Sequence, residues 1–192
     1  HIEKNVFLVK PDNRYFVGNT PHGGYLQALM HKALVTILPH ATAISSSVQF
    51  LDRIENDDLT LTVDIYKISR GSSSGVVRAI QDNKVCAVFT GTCSDFEHMK
   101  GYSGLNTPLP KIFDESNIAN YVEMNYDKIS KGFTPNFIKQ LKCLVHPDHA
   151  WWNKEKLEGD AEARCSAFLE LDGGMPDQLC LSFYTDILPP VV

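Results

Sequence analysis

Apolar residues recur at helical spacing over one stretch near the start of the chain: Leu26, Leu29, Met30, Ala33, Leu34, Ile37 and Leu38. A glycine-rich loop at 18–24 precedes them, Asn19 or Thr20 is available as an N-cap, and Pro39 stops the run, which predicts a helix over 23–38. Before it, an alternating start at 5–9 leads into the turn Pro11-Asp12-Asn13. After it, four runs of strand character occupy 44–51, 59–68, 75–80 and 85–92, parted by Asp57-Asp58, the segment 70–74 and Asp82-Asn83. Leu59, Leu61, Val63 and Ile65 give a clean period of two. One strongly apolar helix followed by a meander of long antiparallel strands is an α+β unit in which the sheet covers the helix.

From 94 to 134 the periodicity is lost, and Gly101, Gly104, Pro108 and Pro110 mark a linker with short local elements. Residues 136–145 and 161–171 read as strands, with a loop at 146–159 that carries Trp151-Trp152. A second glycine turn, Asp172-Gly173-Gly174, then precedes a second helix. Pro176 is read in its first turn beside an acidic Asp177; Leu179, Cys180, Phe183, Ile187 and Leu188 form its apolar face, and Pro189-Pro190 stops it. Strand, glycine turn and helix thus occur twice, a weak internal duplication. The organisation expected is 1–94 as a first unit, 95–134 as a linker and 135–192 as a second, incomplete unit. A second helix covered only by the strands before it would expose a large apolar patch. Either the chain continues past the segment given, or a partner supplies the missing sheet.

Composition narrows the classes. Of 192 residues, 43% are hydrophobic and 21% charged, ordinary values for a soluble, core-forming chain. A net charge of −5 argues against a nucleic-acid-binding module, which needs clustered basic residues. No apolar run reaches the length of a membrane span and no signal segment opens the chain. Five cysteines without CxxC pairing make a poor disulfide framework, so a reducing compartment is expected: cytoplasmic, with peroxisome or another organelle open. The chain opens at His1, which leaves terminal targeting signals open too.

The stretch His22-Gly23-Gly24-Tyr25-Leu26-Gln27-Ala28-Leu29 resembles the Asn-Gly-Gly-Tyr-Leu-x-x-Leu opening of the central helix in the acyl-CoA thioesterase II (TesB-like) family, with histidine in place of asparagine. Residues 46–52, Ser-Ser-Val-Gln-Phe-Leu-Asp, are similar to that family's first long strand, although Asp52-Arg53-Ile54 lacks its proline. The stretch 168–174 followed by Asp177, Leu179, Leu181, Asp186, Pro189 and Pro190 resembles the family's Asp-Gly turn and second helix. The resemblance implies a double hotdog fold, a long antiparallel sheet wrapped around central helices, with the second hotdog incomplete at the C-terminal side. It also implies a catalytic aspartate at Asp186, acting with a threonine or serine and a glutamine on strands that would follow Val192.

Thioester hydrolysis needs a positioned water, a proton acceptor and donors for the oxygen that becomes negative. Asp186 can position the water and take its proton if Phe183, Ile187 and Leu188 desolvate it; read without the resemblance, it is an exposed acid on an amphipathic helix. Gly23 and Gly24 can supply first-turn N–H groups to the oxyanion, with Tyr25 beside them, or they simply permit tight packing. His22 polarises a carbonyl or is an ordinary surface histidine. Arg70 and Ser72, between two long strands, contact the CoA phosphates or pantetheine or belong to a plain hairpin turn. His146 and His149 lack a third ligand, so no metal is expected. A serine-hydrolase elbow, a Walker or dinucleotide loop and the Asp-x4-His signature of hotdog hydratases are all missing from the sequence.

The expected function is hydrolysis of a fatty acyl-CoA, or a related acyl thioester, to free acid and CoA, with no cofactor besides the CoA of the substrate. The alternative is a non-catalytic acyl or acyl-CoA binding protein. No nucleic-acid partner and no membrane span are expected, and association as an intramolecular pseudo-dimer or homo-oligomer is.

Overall fold

The computed structural model describes residues 5–104, 106–107, 115–129, 132–153, 165–171 and 175–188. The 172–174 turn and Pro189-Pro190, both singled out above, lie outside the described residues.

The first helix, α1, spans Gly23–Ile37. Its apolar face buries Leu26, Met30, Ala33 and Leu34, and it ends where Leu38 turns extended, as the residue before a proline must. Five strands wrap it: β1 (Val6–Val9), β4 (Thr42–Phe50), β5 (Leu59–Ile68), β6 (Ser72–Gln81) and β7 (Lys84–Ser94). They form one antiparallel sheet in the order β1-β5-β6-β7-β4. The turn at Asp82-Asn83 has both residues at positive φ, 50° and 61°, the geometry of a tight hairpin that matches strand twist. Leu34 seats on a pair of glycines that face each other across β6 and β7. A Cβ at Gly91 would lie 2.6 Å from Leu34 Cδ2 and one at Gly75 3.0 Å from Cδ1, so a larger residue at either position would force the Leu34 side chain out of its seat.

Several sequence expectations are corrected. Asn19 and Thr20 do not cap α1, because Thr20–Pro21 (β3) pairs with Phe16–Val17 (β2) in a small hairpin; His22 is the N-cap and makes no capping bond with its side chain. Along β5 Leu59, Leu61 and Val63 are buried, but Ile65, although still paired in register with Gly75, is exposed, and a register shift follows it between Ile65 and Lys67. Residues 136–145 are not one strand. A 3-10 turn at Asn136–Gln140 follows Pro135 and buries Phe137, and only Leu141–Val145 (β9) is extended.

The segment expected as a linker contributes β8 (Val122–Glu123) and a short helix α2 at Tyr126–Ile129 to the second unit: β8 pairs with β9, and β9 with β10 (Ala167–Leu171), in the antiparallel order β10-β9-β8, while Met124 and Tyr126 join the core of Cys143 and Val145. The second helix of the duplication, α3, spans only Gln178–Tyr184. Pro176 precedes it rather than lying in its first turn, and Asp177 caps it by accepting the N–H groups of Leu179 and Cys180, both at 2.9 Å. Asp186 and Ile187 fall in the turn after α3, not on it. The α3 segment packs against α1, and a core of Phe137, Phe183 and Ile187, joined by Tyr15, Tyr25 and Ala28, fuses the two units. Among the described residues no helix is long and apolar enough to cross a membrane.

Candidate active site

The N-terminus of α1 and the turn after α3 meet at van der Waals limits. A Cβ on Gly24 would lie 2.3 Å from the Phe183 carbonyl oxygen, and one on Gly23 2.6 Å from Asp186 Oδ2. Gly24, which meets backbone, is therefore needed for the approach itself, whereas at Gly23 the Asp186 side chain would have to swing aside. Across that contact Gly24 N–H donates to Asp186 Oδ2 at 3.1 Å. A carboxylate at the start of a helix is held by an otherwise unpaired N–H and by the positive end of the helix dipole.

The turn that carries Asp186 is fixed from three sides. His22 Nε2 lies 2.8 Å from the Asp186 carbonyl oxygen and 3.4 Å from Oδ2. The buried Tyr126 hydroxyl donates to the Ile187 carbonyl at 3.1 Å, and the Ile187 side chain is buried. A carbonyl oxygen only accepts, so Nε2 of His22 carries the proton. Burial lowers the His22 pKa, opposed in smaller part by Asp186, and keeps the ring neutral with Nδ1 as its bare nitrogen. That nitrogen is buried with no hydrogen-bond partner among the described residues. The ring packs 4.0 Å from that of Phe137 and edge-on to Phe183.

The expected residues fare differently. Gly23, Gly24, His22 and Asp186 come together. His22 is not a surface residue: its side chain is 6% exposed, because the close packing of α1 on α3 encloses it. Asp186 is not desolvated by Phe183, Ile187 and Leu188, for its side chain is 55% exposed while Phe183 and Ile187 point into the core beneath it. Gly24 N–H, considered above as an oxyanion donor, is directed at Asp186 Oδ2. The Tyr25 ring is stacked on Tyr15 at 4.8 Å, and its hydroxyl accepts the N–H of Asp12, which is a packing role. Arg70 and Ser72 lie at the other end of α1. There His40, just past the helix, bonds Ser73 Oγ and reaches the Arg70 carbonyl, about 22 Å from the glycines by helix length. Among the described residues no group of His, Cys, Asp and Glu is placed to hold a metal ion.

Sequence reasoning missed a polar seam along the same two helices. Gly23, Gln27 and His31 follow one another at four-residue spacing on α1, as do Gln178, Ser182 and Asp186 in the α3 segment. Between them lies a cavity of about 150 Å³ lined by Gln27, His31, Ser46, Gln178, Ser182 and Thr185, among others. His31 Nδ1 is 2.8 Å from Ser182 Oγ. Gln178 spends its amide on β4, accepting from Ala43 N at 2.9 Å and donating to the Ala41 carbonyl at 2.6 Å. The four-residue spacing was readable in the sequence, but which stripe faces which was not.

Comparison with known proteins adds the following. Residues 11–94 match the family described as the acyl-CoA thioesterase N-terminal domain. The structure is similar to that of a candidate thioesterase II from Thermobifida fusca, with a TM-score of 0.79 at 18% identity, over 99% of this chain and 69% of that one. It is similar to a hot dog fold protein of unknown function from Alicyclobacillus acidocaldarius, with a TM-score of 0.77 at 14% identity, over 99% of this chain and 67% of that one. An acyl-CoA thioesterase II from Mycobacterium marinum aligns with a TM-score of 0.63 at 13% identity, over 95% and 62% of the two chains. These likenesses establish the double hotdog fold, and the chain spans only about two thirds of the length of those structures. No curated protein sequence matches it.

Proposed function

We propose that this chain, whose residues 11–94 match the acyl-CoA thioesterase N-terminal domain family, hydrolyses an acyl-CoA thioester by water attack directed by Asp186. The observation that carries the reading is the Asp186 carboxylate held by Gly24 N–H at the mouth of the central helix. With Oδ2 anchored there, Oδ1 is the atom that takes a proton from water. The water oxygen then bonds to the thioester carbon, and the carbonyl electron pair moves onto oxygen at the positive end of α1, where first-turn N–H groups favour negative charge. Collapse of the tetrahedral intermediate breaks the C–S bond, and the proton held by Asp186 passes to the departing CoA thiolate. His22 is a positioning residue: neutral and buried, it holds the Asp186 backbone rather than exchanging protons.

The test is release of CoA thiol from acyl-CoAs of short to long chain. Asp186→Asn keeps the size of the side chain and its bond from Gly24 N–H while removing the base. The expected result is a fall in kcat of at least about a hundredfold, the usual worth of a positioned acid–base group, with the melting temperature unchanged. No turnover by either protein, with acyl-CoA still raising the melting temperature, refutes hydrolysis and leaves an acyl-CoA binding protein.

A further inference from the structure

One large apolar side chain stands open beside the reaction centre. Phe50, the last residue of β4, is 53% exposed. Side chains alternate along a strand, so Val48 and Phe50 share the face that looks toward α1. Val48 packs into the core there, opposite Phe89, whereas Phe50 meets the helix at its first residue. A Cβ on Gly23 would lie 3.2 Å from Phe50 Cζ and 2.6 Å from Asp186 Oδ2. The tip of the ring and the carboxylate therefore flank one point at the mouth of α1. The backbone holds the ring in this place: the N–H groups of Leu51 and Asp52 both donate to the Cys86 carbonyl, at 2.8 and 3.0 Å, and pin the chain as it leaves β4. A single exposed apolar residue is ordinary on a protein surface. This one is set apart by its neighbour, since a half-open phenyl ring beside Asp186 is apolar surface within reach of whatever Asp186 acts on.

We infer that Phe50 is a specificity-determining residue for the acyl group, with its ring as the surface on which the first methylenes after the thioester carbonyl lie. The inference rests on the thioesterase reading. With the thioester carbon facing the water on Asp186 Oδ1 and its oxygen at the first turn of α1, the acyl chain and the sulfur arm leave the carbon in different directions. The ring offers neither donor nor acceptor, so it suits methylenes. The amides of the pantetheine arm would lose water against it and gain no partner. One methylene taken out of water is worth about fourfold in binding, so two laid on the ring give about tenfold. The contact is the same before and during the attack on the carbonyl, which places its effect on KM and not on kcat.

The experiment measures hydrolysis of acetyl-, butanoyl- and octanoyl-CoA by the wild type, Phe50→Ala, Phe50→Gln and Phe50→Leu. Glutamine fills much of the space with a polar chain, so Phe50→Gln serves if Phe50→Ala folds poorly. The expected result is a kcat/KM that falls about tenfold more for butanoyl- and octanoyl-CoA than for acetyl-CoA in both variants, with the difference carried by KM. Phe50→Leu, which restores an apolar surface, should regain most of the preference. An equal fall for all three substrates assigns the ring to the support of Asp186 or to the CoA arm and overturns the acyl contact. A difference carried by kcat alone, or a preference that both polar and truncated variants retain, overturns it as well. If the wild type hydrolyses none of the three, the thioesterase reading falls and Phe50 is judged by binding. A larger rise in melting temperature with butanoyl-CoA than with acetyl-CoA, abolished by Phe50→Gln, then upholds the acyl contact. Equal rises, no rise, or a difference that Phe50→Gln keeps would overturn it.

Discussion

Replacing Gly24 with alanine tests the contact on which the site is built. The added Cβ would lie 2.3 Å from the Phe183 carbonyl oxygen and 3.2 Å from Asp186 Cβ, against an ordinary contact of 3.4 Å or more. The clash is with backbone, which has no rotamer to change, so α1 and the end of α3 must separate by about 1 Å. The 3.1 Å bond from Gly24 N–H to Asp186 Oδ2 lengthens past the hydrogen-bonding range with them. Two terms oppose each other: overpacking costs about 1 to 3 kcal/mol, and alanine returns at most about 1 kcal/mol of helix propensity. With the whole of that return subtracted the clash still costs up to about 2 kcal/mol, which for a chain of this size lowers Tm by up to roughly 8 °C. Thioester hydrolysis falls further than stability does, because the loss lands on the placement of Asp186. Urea denaturation and CoA-thiol release check both, with Gly71→Ala as the control. Gly71 sits in the β5–β6 hairpin with nothing within 4 Å of an added Cβ, so that change stays within about 0.5 kcal/mol. A Gly24→Ala protein as stable as Gly71→Ala would refute the claim that the helices meet at this glycine.

Three further outcomes follow from the same structure. Asp177→Ala removes both capping bonds of the seven-residue α3 and should cost about 1 kcal/mol in chemical denaturation; a change below about 0.3 kcal/mol would show that tertiary packing alone holds the helix. His22 and His31 both have pKa values lowered by burial, so below about pH 6.5 the unfolded chain takes up protons that the folded one refuses. Stability is therefore full above that pH and falls below it, by at most about 1.4 kcal/mol per pH unit for each histidine, and His22→Asn should flatten the fall measured by melting between pH 5 and 7. Cys86, Cys93 and Cys143 are buried, and burial with neighbouring Cys165 pushes the Cys143 thiol up to about 12. An aromatic disulfide reagent at pH 8 should leave these three unmodified in the native protein and reach all five after denaturation.

The first unit was legible in the sequence because its signals are local. The apolar repeat of α1, the stop before Pro39, the strands at 44–51, 59–68, 75–80 and 85–92 and the Asp82-Asn83 turn appear in the structure with boundaries moved by at most three residues. The second unit was less legible because its signals are not. Residues 136–140 run into the strand 141–145 with no glycine or proline between them to mark a break, yet they coil so that Phe137 reaches the core beside His22 and Phe183. The apolar pattern of 179–188 carries on through a helix that stops at Tyr184, since Ile187 is buried from a turn as readily as from a helix.

The site divides along the same line. Composition, periodicity and the His22-Gly23-Gly24-Tyr25 opening determined an α+β chain with a central helix, and the resemblance supplied Asp186 as the acid to watch. Tertiary structure alone brought Gly24 to Asp186 across 162 residues, enclosed His22, turned Tyr25 to packing, sent Arg70 and Ser72 to the far end of α1 and faced His31 toward Ser182. Period and turn chemistry are set by near neighbours along the chain. Which helix face meets which is set by the summed fit of two surfaces, and no window of sequence contains both.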